Sequence, residues 1–231
     1  MSLLEYDIID HKLVLTLNDP VTRNAFSWEM ACELQEILTK QIFQGILLKS
    51  SGENFCAGGN LRFYKSLKTQ EEGLEINKEI TKILDSLEQL KVPKICYVDG
   101  LCVGGGVELV SCFDFIVASP NSLFGMWQRR VGLSYGWGGE KRLLRKLKED
   151  RLRCWLTSAS TLTAIDARQL GLVDRICLNY RGIDDCHEWL DRSFLWGEES
   201  LQKTLDRQSS EQKKFESLWY SEKHRSILKK F

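Results

Sequence analysis

Residues 94–110 read KICYVDGLCVGGGVELV, and this stretch decides the class of fold. Its first five residues predict a buried strand. Three glycines, Gly104 to Gly106, come shortly afterwards. The apolar segment Val107–Cys112 predicts a short helix, and we expect this helix to begin within the glycine run. A further apolar run, Phe113–Ala118, predicts another strand. Strand, helix and strand in this order are typical of an α/β fold with parallel pairing.

A second glycine turn lies upstream, where residues 54–61 read NFCAGGNL. It follows a predicted buried strand, Gly45–Lys49, and precedes a predicted helix, Leu61–Lys65. Glycines let the backbone approach a ligand closely, and the first N–H groups of a helix have no partner within that helix. Two such turns with converging N–H groups would form an oxyanion hole. For either cluster alone, a tight turn without function is an equally good explanation, and no nucleotide-binding glycine motif occurs.

The flanking pattern extends the alternation of strands and helices. Two short β-like runs open the chain, Glu5–Ile9 and Lys12–Leu17, and Ser27 is a good N-cap for the helix that follows it. Residues 74–90 have the apolar spacing of a helix, and Pro93 ends it.

The last third of the chain has a different character. From Gly139 onward the pattern predicts helices almost throughout, apart from a short strand-like segment, Val173–Leu178. No linker separates it from the rest. We therefore predict a single domain over residues 1–231, with a core over about 1–180 and a helical cap or oligomerisation region over about 181–231.

Composition and charge narrow the class of protein. The chain has 231 residues, of which 43% are hydrophobic and 28% charged, the balance of an ordinary globular domain. Lys and Arg together number 32, as do Asp and Glu, which disfavours a binder of nucleic acid or of an anionic membrane. No apolar run approaches the ~20 residues that span a bilayer, and no secretory signal pattern opens the chain. We expect a cytoplasmic protein with no membrane partner.

The eight cysteines give no sign of a metal or disulfide framework. None forms a C-x-x-C pair, and most lie in apolar stretches, as reduced core cysteines of a cytoplasmic protein do. The histidines His11, His187 and His224 do not combine with them into the spacing of a zinc site. No metal site is predicted.

Five ordered motifs resemble those of the crotonase superfamily, the enoyl-CoA hydratase/isomerase family. Residues 55–61 are similar to F-C-A-G-A-D-L, and residues 100–109 are similar to G-x-x-x-G-G-G-x-E-L. The resemblance covers residues 5–180 well and the tail loosely. The other three similar segments are residues 18–26 (N-R-P…R-N-A-L), 124–143 (F-G…G-G-x-x-R-L) and 167–173 (A-x-x-x-G-L-V).

The resemblance implies a fold, a substrate class and site residues. It implies a spiral of ββα turns, assembled as a homotrimer or hexamer, and an acyl-CoA substrate with no cofactor besides the coenzyme A that the substrate carries. The oxyanion donors would be the N–H groups of Gly59 and Gly105. A solvated surface charge explains each arginine of the implied binding set equally well. That substrate-binding set is Arg23, Ala25, Ala57, Asn60, Leu61, Arg62 and Gly104.

Two positions decide the chemistry. Glu108 matches the first family acid and lies on an otherwise apolar helix, where a glutamate is costly unless it is paired or functional. This favours a catalytic acid/base; the alternative is a structural pairing with a backbone N–H or an arginine. At the second acid, the family pattern F-G-x-P-E is replaced by FGMWQ at residues 124–128. Gln128 cannot transfer a proton at neutral pH, so we expect a poor hydratase.

Three functions fit these residues. The first is an acyl-CoA enzyme of the hydratase/isomerase family, a lyase or isomerase of fatty acid metabolism with one retained acid/base. The second is a malonyl-type decarboxylase, because loss of CO₂ forms an enolate without a base; residues 131–139 are similar to that branch, which has W-G-G there. Arg129 and Arg130 could hold a substrate carboxylate, although a surface basic pair explains them better. The third is a catalytically weak acyl-thioester binder.

Apolar residues of the C-terminal helices predict the oligomer contact. They give the short C-terminal region many aromatic side chains, although this region has little core of its own in which to bury them. The residues are Trp189, Leu190, Phe194, Leu195, Trp196, Phe215, Leu218 and Trp219.

Overall fold

The computed structural model describes residues 2–194, 198–205, 210–218 and 225–226. Within these ranges, no helix has both the length and the apolar character that crossing a bilayer requires. The strands, in chain order, are β1 (Leu4–Ile9), β2 (Lys12–Leu17), β3 (Gly45–Ser50), β4 (Lys94–Val98), β5 (Leu101–Val103), β6 (Phe115–Ala118), β7 (Leu123–Gly125), β8 (Thr161–Thr163) and β9 (Arg175–Ile176).

The helices lie between and after these strands. In chain order they are α1 (Trp28–Lys40), α2 (Leu61–Ser66), α3 (Gln70–Gln89), α4 (Gly105–Val110), α5 (Gly139–Leu143), α6 (Glu149–Ser158), α7 (Ala164–Leu170), α8 (Asn179–Phe194), α9 (Glu198–Leu205) and α10 (Glu211–Leu218).

Two sheets organise the fold. The larger has six strands in the order β1-β2-β3-β4-β6-β9, and the smaller has three in the order β5-β7-β8. Among the strands of the described residues, the β1–β2 and β7–β8 pairs are antiparallel, and the other pairs are parallel. The predicted α/β class with parallel pairing is therefore confirmed.

One face of the six-stranded sheet packs against α1 and α3. Ser27 caps α1, and its side chain accepts the Met30 N–H at 3.2 Å, as the sequence predicts. In α3 the buried apolar residues recur at helical spacing, and they join strand residues in the main core. These buried apolar residues of α3 are Ile80, Ile83, Leu84 and Leu87.

The opposite face of this sheet is covered by α8. Leu190 is buried there, and Trp189 stacks on Phe115 with ring centroids 5.0 Å apart. The oligomer contact predicted for Leu190 needs correction, because α8 returns onto the sheet and buries this side chain fully within its own chain. Trp189 is half-buried, and its predicted contact stays a prediction.

The rest of the oligomer prediction is not decided by the described residues. Phe194 and Leu218 are half-buried. Leu195, Trp196, Trp219 and the side chain of Phe215 lie outside the described residues. The trimer or hexamer stays a prediction, as does the single domain over residues 1–231.

The short strands of the smaller sheet are where the sequence prediction was wrong. The region after Gly139 contains β8, which the helical pattern did not indicate. The helix α4 begins at Gly105, within the glycine run where its start is predicted, and it ends at Val110, two residues before the predicted Cys112. Three-residue strands show too few alternations to give a period, so sequence alone misses them.

Candidate active site

The two glycine turns lie side by side. Cys56 and Cys102 form a parallel bridge, in which the Cys56 N–H donates to the Leu101 carbonyl at 2.8 Å and the Val103 N–H donates to the Cys56 carbonyl at 3.0 Å. A Cβ placed on Gly58 would lie 3.4 Å from the Gly105 nitrogen. Only a glycine there, with φ of +97°, lets the two turns come this close.

The N–H groups of Gly59 and Gly105 have no hydrogen-bond partner among the described residues. Gly105 opens α4, and Gly59 precedes Asn60, the N-cap of α2. Their N–H groups therefore lie at helix starts, where the backbone leaves donors unused. Their predicted role as oxyanion donors stays a prediction.

The turn that contains Asn24 packs against the glycine turn at residues 54–61. The fully buried Asn24 side chain donates to the carbonyls of Ser51 and Asn54 at 2.8 and 2.7 Å. Next to it, the Phe26 N–H donates to the Gly58 carbonyl at 2.7 Å. The family-like segment at residues 18–26 thus holds this glycine turn in place through hydrogen bonds to the carbonyl groups of its backbone and of the residues just before it.

A cavity of about 580 Å³ opens beside the two turns. It brings together seven of the predicted site residues: Ala57, Gly59, Leu61, Gly104, Gly105, Glu108 and Gln128. Its other lining residues include Tyr64, Asn77, Arg130, Tyr135 and Trp137. Its volume falls within the range of small-molecule sites.

The other four predicted site residues do not line the cavity. Arg23 and Arg62 are exposed, and Ala25 is buried behind the loop. The Asn60 side chain accepts the N–H groups of Arg62 and Phe63, both at 3.1 Å, so it caps α2. Because its side chain is used in this way, Asn60 acts on the site through the helix that it begins.

The Glu108 carboxylate is buried and accepts four N–H hydrogen bonds. One oxygen accepts from Gln128 Nε2 and the Gly136 N–H, both at 3.1 Å. The other accepts from the N–H groups of Trp137 and Gly139 at 2.8 and 2.9 Å. Three of these donors are backbone groups, so the carboxylate anchors the 136–139 segment. This is the structural pairing that the sequence left open as an alternative to catalysis.

Gln128 lies beside this acid with its amide fixed in one orientation. Its Nε2 faces Glu108, since the reversed amide would place oxygen against oxygen. Its Oε1 is buried and has no partner among the described residues. Gln128 therefore offers an unused acceptor next to the carboxylate.

Trp137 lies across the floor of the cavity. Its indole N–H donates to Asn77 Oδ1 at 2.8 Å, and the Tyr64 hydroxyl donates to the same oxygen at 2.7 Å. Its ring packs edge-on against Phe26, with centroids 5.6 Å apart. The network joins α2, α3 and the 136–139 segment around the two glycine turns.

Other groups near the turns are unsuited to act as bases or nucleophiles. Burial raises the pKa of the Cys56 thiol to about 11, so a nucleophilic thiolate is scarce at neutral pH. Burial, together with the charges of Glu140 and Glu108, also raises the pKa of Tyr135. Among the described residues, no cluster of His, Cys, Asp and Glu could hold a metal ion.

Sequence reasoning did not assign roles to Asn77, Tyr64 or Trp137. The signal for Asn77 was its position one turn before the buried Ile80, a polar residue next to the apolar stripe of α3. For Trp137 the sequence offers only the W-G-G similarity. The partners that fix it come from distant segments, and no sequence period reports such contacts.

Comparisons with known proteins identify the family. The sequence profile of the enoyl-CoA hydratase/isomerase family matches residues 11–223. The chain belongs to this family. Within it, the chain is similar to the ethylmalonyl-CoA decarboxylase of Gallus gallus, with 31% identity over 163 residues that cover 69% of this chain and 55% of the relative. It is also similar to the crotonyl-CoA hydratase of Syntrophomonas wolfei, with 29% identity over 71% of this chain and 64% of the relative.

The same fold occurs in solved structures. A Thermobifida fusca protein described as an enoyl-CoA hydratase, in complex with acetoacetyl-CoA, superposes with a TM-score of 0.86. The alignment covers 100% of this chain and 96% of that one at 17% identity, and it shows the crotonase fold. The chain spans between 55% and 66% of the length of the vertebrate decarboxylases of chicken and orangutan that it matches.

Proposed function

We propose that this protein decarboxylates a malonyl-type thioester of coenzyme A, with the enolate oxygen held by the N–H groups of Gly59 and Gly105. The observation that carries the proposal is the state of Glu108. Among the described residues it is the only carboxylate that lines the cavity. Because four N–H donors occupy it, the cavity holds no carboxylate free to remove a Cα proton.

Decarboxylation needs no such base. The bond between Cα and the carboxylate breaks, CO₂ leaves, and the electron pair forms the Cα=C bond of the enolate. The thioester oxygen takes the negative charge, which the two N–H groups stabilise. A proton from water then adds to Cα, and the hydroxide that remains combines with CO₂ as bicarbonate.

Arg130 is the candidate partner for the substrate carboxylate. It lines the cavity, stacks on Trp127 with 4.1 Å between its Cζ and the ring centroid, and donates to the Ala159 carbonyl at 2.8 Å through Nη2. Its Nη1 has no hydrogen bond within the described part of the chain. A guanidinium held in this way suits a carboxylate ligand. The adjacent Arg129 does not line the cavity.

The decarboxylase relatives support the same assignment. The chicken protein is named a decarboxylase of ethylmalonyl-CoA, a 2-carboxyacyl thioester. That the thioester is one of coenzyme A is also part of the proposal. The complex of the Thermobifida protein with acetoacetyl-CoA favours coenzyme A as the carrier, since that protein shares the whole fold.

The second candidate is a one-base isomerase in which Glu108 moves the Cα proton. The family match and the position of Glu108 on the cavity wall favour it. It requires the 136–139 segment to release the carboxylate when substrate binds. Exchange of Cα hydrogen for deuterium would reveal this release.

The deciding experiment follows two products by mass spectrometry. The protein is incubated in D₂O with ethylmalonyl-, methylmalonyl- and malonyl-CoA, and separately with butyryl- and crotonyl-CoA. We expect CO₂ loss from the 2-carboxyacyl thioesters and a single deuterium in the product. We expect no Cα exchange in butyryl-CoA and no hydration of crotonyl-CoA. Exchange without CO₂ loss would instead establish the isomerase.

Adjacent arginines give a matched pair for the carboxylate contact. Arg130→Gln should raise KM for the 2-carboxyacyl thioester while the Kd for butyryl-CoA, which lacks the carboxylate, changes little. Arg129→Gln should change neither constant. Equal effects of the two substitutions would remove Arg130 from the proposed mechanism.

A further inference from the structure

The ring of Trp137 occupies the space directly in front of the two glycines. A Cβ at Gly105 would overlap the ring at Cζ3, and a Cβ at Gly59 would lie 3.3 Å from Cζ2. The indole therefore touches both backbone segments whose N–H groups are assigned to the thioester oxygen. It is 4% exposed, so little of its surface is open.

Trp137 is also fixed at three polar points. Its N–H donates to Glu108 at 2.8 Å, and its indole N–H donates to Asn77 at 2.8 Å. Its carbonyl accepts from Nη2 of Arg142, whose guanidinium is buried and also bonds Ser111 and Asp85. Each of these partners lies on a helix of the core. The backbone of Trp137 is held by the buried bonds to Glu108 and Arg142, and turning the ring away would break its bond to Asn77.

The position of the ring restricts the acyl group. A thioester oxygen within hydrogen-bond distance of both N–H groups places Cα and the following carbons next to the same two glycines. The cavity of about 580 Å³ must also accept the pantetheine arm. The indole takes up space directly beside these two glycines, where an acyl chain would begin to extend.

We propose that Trp137 is the residue that limits the substrate to short, compact acyl groups. The proposal rests on the proposed function, because it assumes a thioester oxygen on Gly59 and Gly105. In this view Glu108, Asn77 and Arg142 are positioning residues. They act on specificity through the ring that they hold.

The test measures Kd by isothermal titration calorimetry for butyryl-CoA and octanoyl-CoA. We expect the wild type to bind butyryl-CoA at least about tenfold more tightly, since excess methylenes that do not fit are rejected by one to two orders of magnitude. Trp137→Ala should reverse or erase this preference, and Trp137→Phe should reduce it. Both variants are checked for folding by circular dichroism; Trp137→Phe keeps a buried aromatic ring if Trp137→Ala unfolds.

Trp155 supplies the matched control. It is a tryptophan in α6, 3% exposed, and its indole N–H donates to the Ser160 carbonyl at 3.1 Å, but it does not line the cavity. Trp155→Phe removes a buried indole and its hydrogen bond just as Trp137→Phe does. It should leave the ratio of the two Kd values unchanged.

Four outcomes decide the matter. A tenfold preference that Trp137→Ala erases and Trp155→Phe keeps supports the size limit. Equal wild-type affinities, or a preference that survives Trp137→Ala, overturns it. Binding with the expected preference but without CO₂ loss overturns the proposed decarboxylation and leaves the size limit standing. Absence of thioester binding overturns both.

Discussion

The backbone N–H of Trp137 donates to the Glu108 carboxylate at 2.8 Å, which ties the buried acid to the ring that covers the glycine turns. The acid and the tryptophan come from segments 29 residues apart in sequence. The residue that the sequence predicts as the acid/base thereby holds the 136–139 segment beside the cavity.

Glu108→Gln should destabilise the fold by about 2 to 4 kcal/mol, because the amide leaves buried backbone N–H donors of the 136–139 segment without an acceptor. Urea unfolding followed by circular dichroism measures this loss. Glu140→Gln is the control, since Glu140 is exposed on the adjacent helix and should cost less than about 0.5 kcal/mol. If Glu108 is only a positioning residue, the variant should still release CO₂ with a raised KM. Complete loss of turnover in a folded variant would restore Glu108 as a catalytic residue.

Gly105→Ala should destabilise the protein by about 1 to 3 kcal/mol, since its Cβ would overlap the fixed Trp137 ring and force the core to shift. For Gly73→Ala in α3 we expect the opposite change in stability. Its Cβ would meet nothing nearer than Leu67 Cδ1 at 3.7 Å, so alanine should stabilise the helix by up to about 1 kcal/mol. Thermal unfolding of both variants checks the contrast. Equal changes in Tm would mean that the Trp137 ring moves aside easily to make room for the new Cβ.

Gln128→Glu should make stability depend on pH. The new carboxylate would lie where Nε2 is now, 3.1 Å from the Glu108 oxygen, so one carboxyl of the pair must keep a proton in the folded state. The folded pair then binds more protons than the unfolded chain, and stability falls as pH rises. We expect the Tm difference from wild type to be larger at pH 8 than at pH 5. A constant difference would show that the side chains move apart.

The same variant tests the interpretation of Gln128 as a lost second acid. If the position still matches the family geometry, Gln128→Glu should gain slow hydration of crotonyl-CoA, measured by loss of absorbance of the conjugated thioester. Gln128→Leu is the control, because it fills a similar volume and transfers no proton. A gain of crotonyl-CoA hydration in both variants would mean that a carboxyl group at position 128 is not the cause of that gain.

The sequence predicted those parts of the site that depend on local backbone. The two glycine turns, the helices that they open and the strand before each follow from residue types within short windows. The partners of Glu108 could not be found in this way, because three of them are backbone N–H groups of a distant segment. Any residue type supplies such a donor. The α8 cover of the sheet was missed for a related reason: a helix with one apolar face looks the same whether it packs on its own chain or on another.

Arg142 gives the last prediction, since it holds the other side of Trp137. Its buried guanidinium donates to the Trp137 carbonyl, to Ser111 Oγ at 3.1 Å and to Asp85 at 2.7 Å. Lysine keeps the charge but cannot reproduce this fork of three donors, so Arg142→Lys should cost about 3 kcal/mol of stability. It should also loosen Trp137 and weaken the preference for butyryl-CoA over octanoyl-CoA. Arg153→Lys, at an exposed pair with Glu149, is the control and should change neither quantity. A variant that loses stability but keeps the full preference would show that the ring is placed by Glu108 and Asn77 without help from Arg142.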